Sequence, residues 1–440
     1  MNTTKQVICP LFISDETYIG PFGVAHDKFR RNTKAHLNVL TFLLLLFSAI
    51  GGHAQQLQSY IQEAEANNPD IQTFELRYNI AQEKVNEVNT LPNTTISAGY
   101  FVSETETRTG AQRARFSISQ MLPWFGTITA RENYASSMAD AEFVEIVVAK
   151  RKLALEVAQL YYQLYAIRAK QKVLDENIQL LTTYERLALT SVEVGKASAV
   201  DVLRLQIRQN ELQQQKEVLL QQANGIQVGF NKKLDRRYDN AVQVATPLEI
   251  PAIDLEYRYD ALSDNPELLK YDRLCESVVQ SELLNQKERA PSIGVGLDYV
   301  PVAERTDMMP ADNGKDIVMP MVSLSIPIFN NAYTSVTKQN ELRQKELEAQ
   351  KKERLNVLQS TFSRAISQRN QARISFDTQT KNLDQARDAE EILTKNYETG
   401  TIDFNDLLDI QELQLKFQTD QIESVQMYYA QSAIINYLIN

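Results

Sequence analysis

Two patterns of hydrophobic and polar positions follow one another along this chain, and they predict long amphipathic helices joined by short β-hairpins. Over residues 127–190 the apolar residues recur at the spacing of a coiled-coil helix, and the positions are Leu153, Val157, Leu160, Leu164, Ile167, Leu174, Ile178 and Leu181. A helix of this length would extend for roughly 95 Å at a rise of 1.5 Å per residue. The shorter helices predicted over 199–234 and Leu57–Leu91 are each near half that length, roughly 50 Å.

A different, strictly alternating pattern predicts two β-hairpins, at 95–121 and 292–328. In the first hairpin, Ile96, Ala98, Tyr100 and Val102 alternate with small or polar residues such as Ser97 and Gly99. Segments of about ten residues with Ser and Gly on one face are typical of transmembrane barrel strands. Two amphipathic hairpins on a soluble core are the alternative interpretation of the same pattern.

The order of these elements repeats after about 200 residues, which predicts two copies of one helix–hairpin–long helix–helix unit. Asn68-Pro69 recurs as Asn265-Pro266, and a Pro-aromatic segment recurs at Pro123–Gly126 and Pro327–Asn330. We therefore divide the chain into a leader (1–54), a first repeat (55–235), an inter-repeat linker or equatorial belt (236–256) and a second repeat (257–440). Within the second repeat the helices are predicted at 257–288, 331–397 and 403–438.

The targeting segment and the composition of the mature chain exclude several classes of function. An apolar run at 37–50 follows basic residues and precedes Gly52-His53-Ala54, as in a secretory signal peptide cleaved after Ala54. Cleavage removes all three histidines and Cys9, and leaves 41 basic and 53 acidic residues. A mature chain without histidine cannot form a Ser-His-Asp triad. An acidic exported chain is also a poor binder of nucleic acid. We therefore predict no enzymatic activity, no cofactor or metal site and no nucleic-acid partner.

The strand count predicts that the chain functions as an oligomer. Four strands cannot close a membrane barrel, because single-chain barrels begin at about eight strands, and unpaired strand edges are not tolerated in lipid. Copies of the chain must therefore combine their strands into one membrane barrel. Trp124, Phe125 and Phe329 follow the hairpins, and we assign them to the membrane interface, where aromatic residues are enriched.

These features together resemble the TolC-type outer membrane efflux family over essentially all of the mature chain. The resemblance rests on the paired repeats, the Pro-aromatic segment after each hairpin, and a Gly followed six residues later by Asp at each helical turn. It implies a mainly α-helical homotrimer whose periplasmic α-barrel continues into a twelve-stranded β-barrel, four strands per chain. It further implies a passive exit duct that works with a periplasmic adaptor and an inner-membrane transporter of a Gram-negative bacterium.

The resemblance also implies roles for residues at the two helical turns. It assigns the periplasmic gate to Asp406, Asp409, Tyr397 and Asp201, with Tyr397 and Asp201 forming a hydrogen-bonded pair. The adaptor-docking tips would be Val194, Gly195, Lys196, Thr399, Gly400 and Thr401. The family's tip arginine is replaced here by Ile402, which weakens the expected closed-state latch. A role in pairing with the helix dipole is the alternative for Asp201 and Asp406.

Alternative functions remain open at the level of sequence. The segment Leu122–Gly126 is similar to the heavy-metal cation-efflux branch, so heavy-metal cations and drugs are both candidate cargoes. The outer membrane component of type I protein secretion is a second option within the same fold. A periplasmic coiled-coil scaffold or adaptor is the alternative from another class, and it would be extracted without detergent.

Overall fold

The computed structural model describes residues 52–195, 198–245, 247–254, 259–399, 401–402 and 404–439. Residues 1–51 of the predicted leader therefore lie outside the described residues. The predicted fold class is confirmed, because the chain is mostly helical and carries four antiparallel strands.

Helices account for most of the chain and occur in the same order in both repeats. They are α1 (Gly52–Asn67), α2 (Pro69–Val88), α3 (Thr127–Glu193), α4 (Ala199–Lys233), α5 (Pro266–Glu288), α6 (Ala332–Glu398) and α7 (Phe404–Ile439), with a short 3-10 helix at Tyr259–Asp264. The two long helices, α3 and α6, contain 67 residues each, which corresponds to about 100 Å. Each long helix packs against the helix that follows it, α4 or α7, to form a helical hairpin.

The prediction of one continuous helix over Leu57–Leu91 is wrong, because the chain breaks at Asn68. The Asn68 side chain accepts the backbone N–H of Asp70 at 2.9 Å, while Pro69 occupies the first helical position. Proline has no N–H to donate and fits only at a helix start. The break recurs in the second repeat, where Asn265 accepts the N–H of Glu267 at 2.9 Å and separates the 3-10 helix from α5.

Both capping asparagines also hold the end of another helix. The amide of Asn68 donates to the carbonyl of Lys233 at 2.8 Å, and the amide of Asn265 donates to the carbonyl of Leu438 at 2.9 Å. Both side chains are buried. Each asparagine thus joins the start of a short helix to the last turn of α4 or α7.

Replacing Asn265 by alanine should lower the free energy of unfolding by about 2 kcal/mol, because the variant loses a helix cap and leaves a buried carbonyl unsatisfied. Asn68→Ala should behave in the same way. The midpoint temperature of helix loss, followed by circular dichroism in detergent, measures the effect. Asn89→Ala, at an exposed position, is the control, and an equal loss there would contradict the assignment.

The strands form one antiparallel sheet in the order β1-β2-β3-β4, with bounds Thr95–Thr107, Gly110–Leu122, Ser292–Val300 and Ile317–Ser325. The two hairpins are joined because β2 pairs with β3. One face presents exposed apolar residues, among them Ile96, Tyr100, Val102, Phe116, Ile118, Val295, Leu297, Val318, Val322 and Leu324. Within the described residues, β1 and β4 each pair on one side only, so they form the two edges of the sheet.

The opposite face of the sheet is polar and closely packed. Ser117, Asp298 and Met319 lie side by side across β2, β3 and β4. Asp298 is fully buried and forms an ion pair with Arg115. At Gly294 an added Cβ would lie 2.2 Å from the Ser323 hydroxyl, so a larger residue there would displace the Ser323 side chain. The alternation predicted from the sequence thus separates an apolar face from a polar one.

Candidate functional site at the hairpin tips

The first helical hairpin, formed by α3 and α4, turns at Gly195. The backbone there adopts a positive φ of 72°, which favours glycine. Helix α4 then begins at a capping box. The Ser198 hydroxyl accepts the N–H of Val200, and the carboxylate of Asp201 accepts the N–H of Ser198 at 3.2 Å. Asp201 therefore stabilises the start of α4, which is the structural role considered beside gating.

The turn of the second helical hairpin, formed by α6 and α7, is stabilised by two threonines that bond the same backbone carbonyl. The hydroxyls of Thr399 and Thr401 donate to the carbonyl of Asn396 at 2.9 and 2.8 Å. Next to this turn the Tyr397 ring packs edge-on against Phe404, with 5.1 Å between centroids. Phe404 is buried and belongs to an apolar cluster that joins both hairpins, so Tyr397 lies where they meet.

The two predicted gate carboxylates lie in the first turns of α7. Asp406 and Asp409 are both exposed. Next to Asp406 in the chain, the side-chain oxygen of Asn405 accepts a hydrogen bond from Arg204 of α4. Farther along α7, the Glu412 carboxylate lies 3.5 Å from the guanidinium of Arg208. The structure thus brings cationic side chains of α4 beside the acidic start of α7, an arrangement that the sequence analysis did not predict.

The other predicted residues divide between the two ends of the molecule. Val194, Gly195, Thr399 and Thr401 lie at the tips, whereas Lys196 and Gly400 fall outside the described residues. Trp124, Phe125 and Phe329 follow the strands at the opposite end, and Phe125 and Phe329 are 80% and 98% exposed. The pairing of Tyr397 with Asp201, the gate and the docking roles stay predictions.

A buried network around Glu390 was missed by the sequence analysis. The Glu390 carboxylate lies on α6, eight residues before the end of the helix. It accepts the Tyr184 hydroxyl of α3 at 2.9 Å, and it accepts the side-chain amides of Gln411 and Gln414 of α7, the latter at 2.7 Å. Tyr184, Gln411 and Gln414 are buried. The Glu390 network (Glu390, Tyr184, Gln411, Gln414) therefore connects the two hairpins above their tips.

The electrostatics of the Glu390 network keep Tyr184 in its donor form. Burial raises the pKa of Tyr184, and the neighbouring Glu390 carboxylate raises it further. The phenol consequently stays protonated and donates to Glu390 at neutral pH. The two glutamine amides are donors from the same hairpin as Glu390, so they orient the carboxylate toward Tyr184.

A second set of polar contacts fastens the belt to the helices. The Tyr60 and Tyr161 hydroxyls accept the backbone N–H groups of Gln243 and Ala245 at 3.0 and 2.9 Å. Farther along the belt, Asp254 bonds both Arg373 of α6, at 2.6 and 3.0 Å, and the Tyr428 hydroxyl of α7. Asp254 thus fastens the belt to the second hairpin, and no sequence motif marks it.

Two structural features are absent from the described residues. No group of three or more His, Cys, Asp or Glu side chains in this part of the chain is placed to hold a metal ion. No described helix combines the length and apolar character needed to cross a membrane.

Comparison with known proteins agrees with this geometry. Residues 60–228 match the sequence model of a family described as outer membrane efflux protein. The chain matches the structure of the outer-membrane channel OprN at 17% identity and a TM-score of 0.69, covering 88% of this chain and 90% of OprN. The chain has the fold of the outer membrane efflux channels.

Two further solved structures are similar over nearly the same extent of the chain. The chain matches CusC, described as forming a transmembrane channel, at 14% identity and a TM-score of 0.70, with 88% of this chain and 92% of CusC covered. It matches the outer membrane protein VceC from Vibrio cholerae at 17% identity and a TM-score of 0.69, covering 88% and 96% of the two chains. Comparison with curated proteins gives no match. The matched family is one of efflux proteins, and OprN and CusC are described as channels, in agreement with the expectation of a non-enzymatic protein.

Proposed function

We propose that this protein is the outer membrane exit channel of a tripartite efflux system. The observation that carries the proposal is a four-stranded sheet with two open edges, joined directly to helices of about 100 Å. Three copies pair β4 of one chain with β1 of the next and close a barrel of twelve strands. Closure satisfies the edge strands, which lipid would otherwise leave without hydrogen-bond partners.

The purified mature protein should form a trimer in detergent and conduct ions in planar bilayers. The strand count requires an oligomer, and the resemblance to the TolC-type family implies that it has three copies. The measurement is mass by light scattering together with single-channel recording. A detergent-free, well-behaved monomer without conductance would overturn the proposal and favour the periplasmic scaffold.

The proposed partners are a periplasmic adaptor and an inner-membrane transporter, as the resemblance to the TolC-type family implies. Adaptor docking is assigned to the exposed tip residues Val194, Thr399 and Thr401, and an inner-membrane transporter would deliver the cargo. Export of heavy-metal cations or drugs is preferred over protein secretion, because the matched sequence family is one of efflux proteins. The helical part then lies in the periplasm and the sheet in the outer membrane.

We assign the constriction of the periplasmic mouth to Asp406 and Asp409. Both carboxylates are exposed in the single chain, at the start of α7 and close to the tip. Around a threefold axis the three copies form rings of negative charge in a narrow pore, which attract cations. The exposed position of both side chains supports this role.

The double variant Asp406→Ala, Asp409→Ala should lose block by divalent cations and conduct more than the parent channel, because the carboxylate rings are gone. Single-channel recording with and without magnesium measures both effects. Glu348→Ala, Glu353→Ala removes the same charge from exposed positions on α6, roughly 70 Å above the tip. If divalent cations still block the aspartate variant as they block the parent, Asp406 and Asp409 act only as charges at the start of α7.

A further inference from the structure

A cavity of about 700 Å³ lies between the belt and the helices on which the belt packs. Its walls come from α3, α6 and α7 on one side and from the belt on the other. This volume is typical of small-molecule sites, which measure about 300–1,000 Å³. On α3 the lining residue nearest the tip is Glu176, 17 residues before the end of the helix. The cavity is therefore separate from the predicted gate and docking tips.

The walls of the cavity are mostly apolar, and several of their side chains remain partly exposed. Tyr165 of α3 and Val425 of α7 are buried. The apolar residues that pack against them and stay only partly buried are Ala169, Leu248, Ile250, Phe376 and Ile422. The apolar part of a bound ligand would remove these surfaces from water, which is favourable.

The belt side of the cavity is held in place by three tyrosines. The hydroxyls of Tyr161 and Tyr165 accept the backbone N–H groups of Ala245 at 2.9 Å and Leu248 at 3.4 Å. From α7, the Tyr429 hydroxyl donates to the backbone carbonyl of Glu249. The cavity is thus shaped before a ligand binds, and a preformed site costs less free energy to occupy.

A half-buried arginine without a counter-charge indicates the charge of the ligand. Arg168 of α3 lines the cavity and forms no hydrogen bond or ion pair within the described part of the chain. Burial raises the pKa of Tyr161, whereas the hydrogen bond from Ala245 and the charge of Arg168 lower it, so the guanidinium lies near the belt. A partly desolvated guanidinium is stabilised by an anion that it can bond.

The other charged residues that line the cavity lie at its exposed rim. Lys172 and Glu176 are 77% and 59% exposed and lie 3.9 Å apart, so their charges offset each other. Glu249 is exposed on the belt, where water and salt screen its charge. Arg168 therefore remains as the partner for a charged group inside the cavity.

The cavity is elongated along α3, and Arg168 lies close to one end of it. The lining residues of α3 extend from Tyr165 to Glu176, which corresponds to about 16 Å along the helix. Beyond Arg168 the lining continues with the apolar Ala169 and Val173. This order fits a ligand whose charged group is at one end and whose apolar part follows.

We propose that this cavity binds an elongated amphipathic anion, namely a single apolar chain that ends in a carboxylate, sulfate or phosphate group. The anionic group bonds Arg168, and the chain lies between α3 and the belt, against Phe376 of α6 and Ile422 of α7. The ligand thereby contacts both helical hairpins and the belt at once. The site goes beyond the proposed exit channel, because no step of conduction involves it.

Photolabelling of the purified full-length protein in a neutral detergent tests the site. The probe is a twelve-carbon carboxylic acid with a diazirine near its methyl end, and its methyl ester is the uncharged counterpart. After irradiation, mass spectrometry of peptides locates the label. The acid should label cavity residues such as Val173 and Ile422 about tenfold more than the ester does, because only the acid bonds the guanidinium.

Four variants separate the charge of the site from its shape. Arg168→Gln should lower labelling by the acid to the level of the ester. Lys152→Gln removes an exposed cation from the same helix, 16 residues away, about 24 Å, and should label like the parent. Ala169→Trp and Ile250→Trp fill the cavity from opposite walls and should abolish labelling by both probes. Circular dichroism identifies the variants that keep the helical fold.

The anion site is wrong if the acid and the ester label the parent equally, or if Arg168→Gln labels like the parent. Labelling that persists in both tryptophan variants would place the probe outside the cavity and would also contradict the proposal. Single-channel conductance of the unlabelled protein tests the exit channel separately, so either proposal can fail while the other stands.

Discussion

Replacing Asp254 by alanine is expected to lower the free energy of unfolding by about 3 kcal/mol and to release the belt from the second hairpin. Asp254 receives two bonds from Arg373 and one from Tyr428, and the buried Arg369 lies 3.9 Å away. Removing the carboxylate leaves partly buried cations without their counter-charge, which costs several kcal/mol. The midpoint temperature of helix loss measures the effect.

The same site should make stability depend on acid. Burial disfavours the charged carboxylate of Asp254, but bonds from Arg373 and Tyr428 and the charge of Arg369 outweigh it and lower its pKa. A lowered pKa contributes stability that is present above the unfolded value and is lost as the pH falls through the folded value. The Asp254→Asn variant should therefore lose part of the parent's stability at neutral pH and approach it in strong acid.

A second aspartate beside an arginine serves as control for Asp254. Asp239 pairs with Arg237 at 2.7 Å on the surface of the belt, where such pairs contribute little. Asp239→Ala should leave the midpoint temperature nearly unchanged. A loss equal to that of Asp254→Ala would mean that any belt aspartate has this effect, and the role of Asp254 as an anchor would be wrong.

The helices and strands could be predicted because their patterns are local. A periodicity of apolar residues predicts α3 over 127–190, and the helix spans Thr127–Glu193. Alternation predicts four strands because side chains point to opposite faces of a sheet at successive residues. The prediction of a continuous helix over Leu57–Leu91 is wrong because the cap formed by Asn68 and the proline at position 69 start a new helix within it.

The polar contacts between hairpins could not be predicted, because they join residues far apart in the chain. Tyr184 and Glu390 are separated by 206 positions, and neither belongs to a motif. The spacing of Gln411 and Gln414 places both on one helix face, but that spacing alone does not identify a carboxylate as their acceptor. The residues that the family resemblance marks lie instead at the tips, about 12 Å below Glu390 along the helix.

Replacing Tyr184 by phenylalanine should favour the open state of the periplasmic mouth by about tenfold per chain. In the proposed channel the mouth widens by a shift of the two helical hairpins relative to each other. The Tyr184 hydroxyl is the donor from the first helical hairpin to Glu390. A hydrogen bond to a charged group is worth about 1.5–3 kcal/mol, and about 1.4 kcal/mol changes an equilibrium tenfold. Single-channel conductance and open probability in planar bilayers measure the change.

A matched tyrosine at the other end of α7 separates gating from stability. The Tyr437 hydroxyl donates to Glu267 at 2.5 Å, roughly 50 Å along α7 from its tip end. Tyr437→Phe therefore removes the same kind of bond without touching the mouth, and conductance should stay at the parent level. If both variants open the channel equally, or neither does, the Glu390 network has no part in holding the mouth closed.

A double-variant cycle then assigns the effect to the pair. Glu390→Ala removes the shared acceptor and leaves Tyr184, Gln411 and Gln414 without it, so it should open the mouth at least as far as Tyr184→Phe. Adding Tyr184→Phe to Glu390→Ala should change the conductance little, because the bond is already lost. Additive effects would show that the two residues act separately. Non-additive effects would show that the bond between Tyr184 and Glu390 holds the mouth closed. This bond lies above the tip, where the uncharged Ile402 cannot form an ion pair.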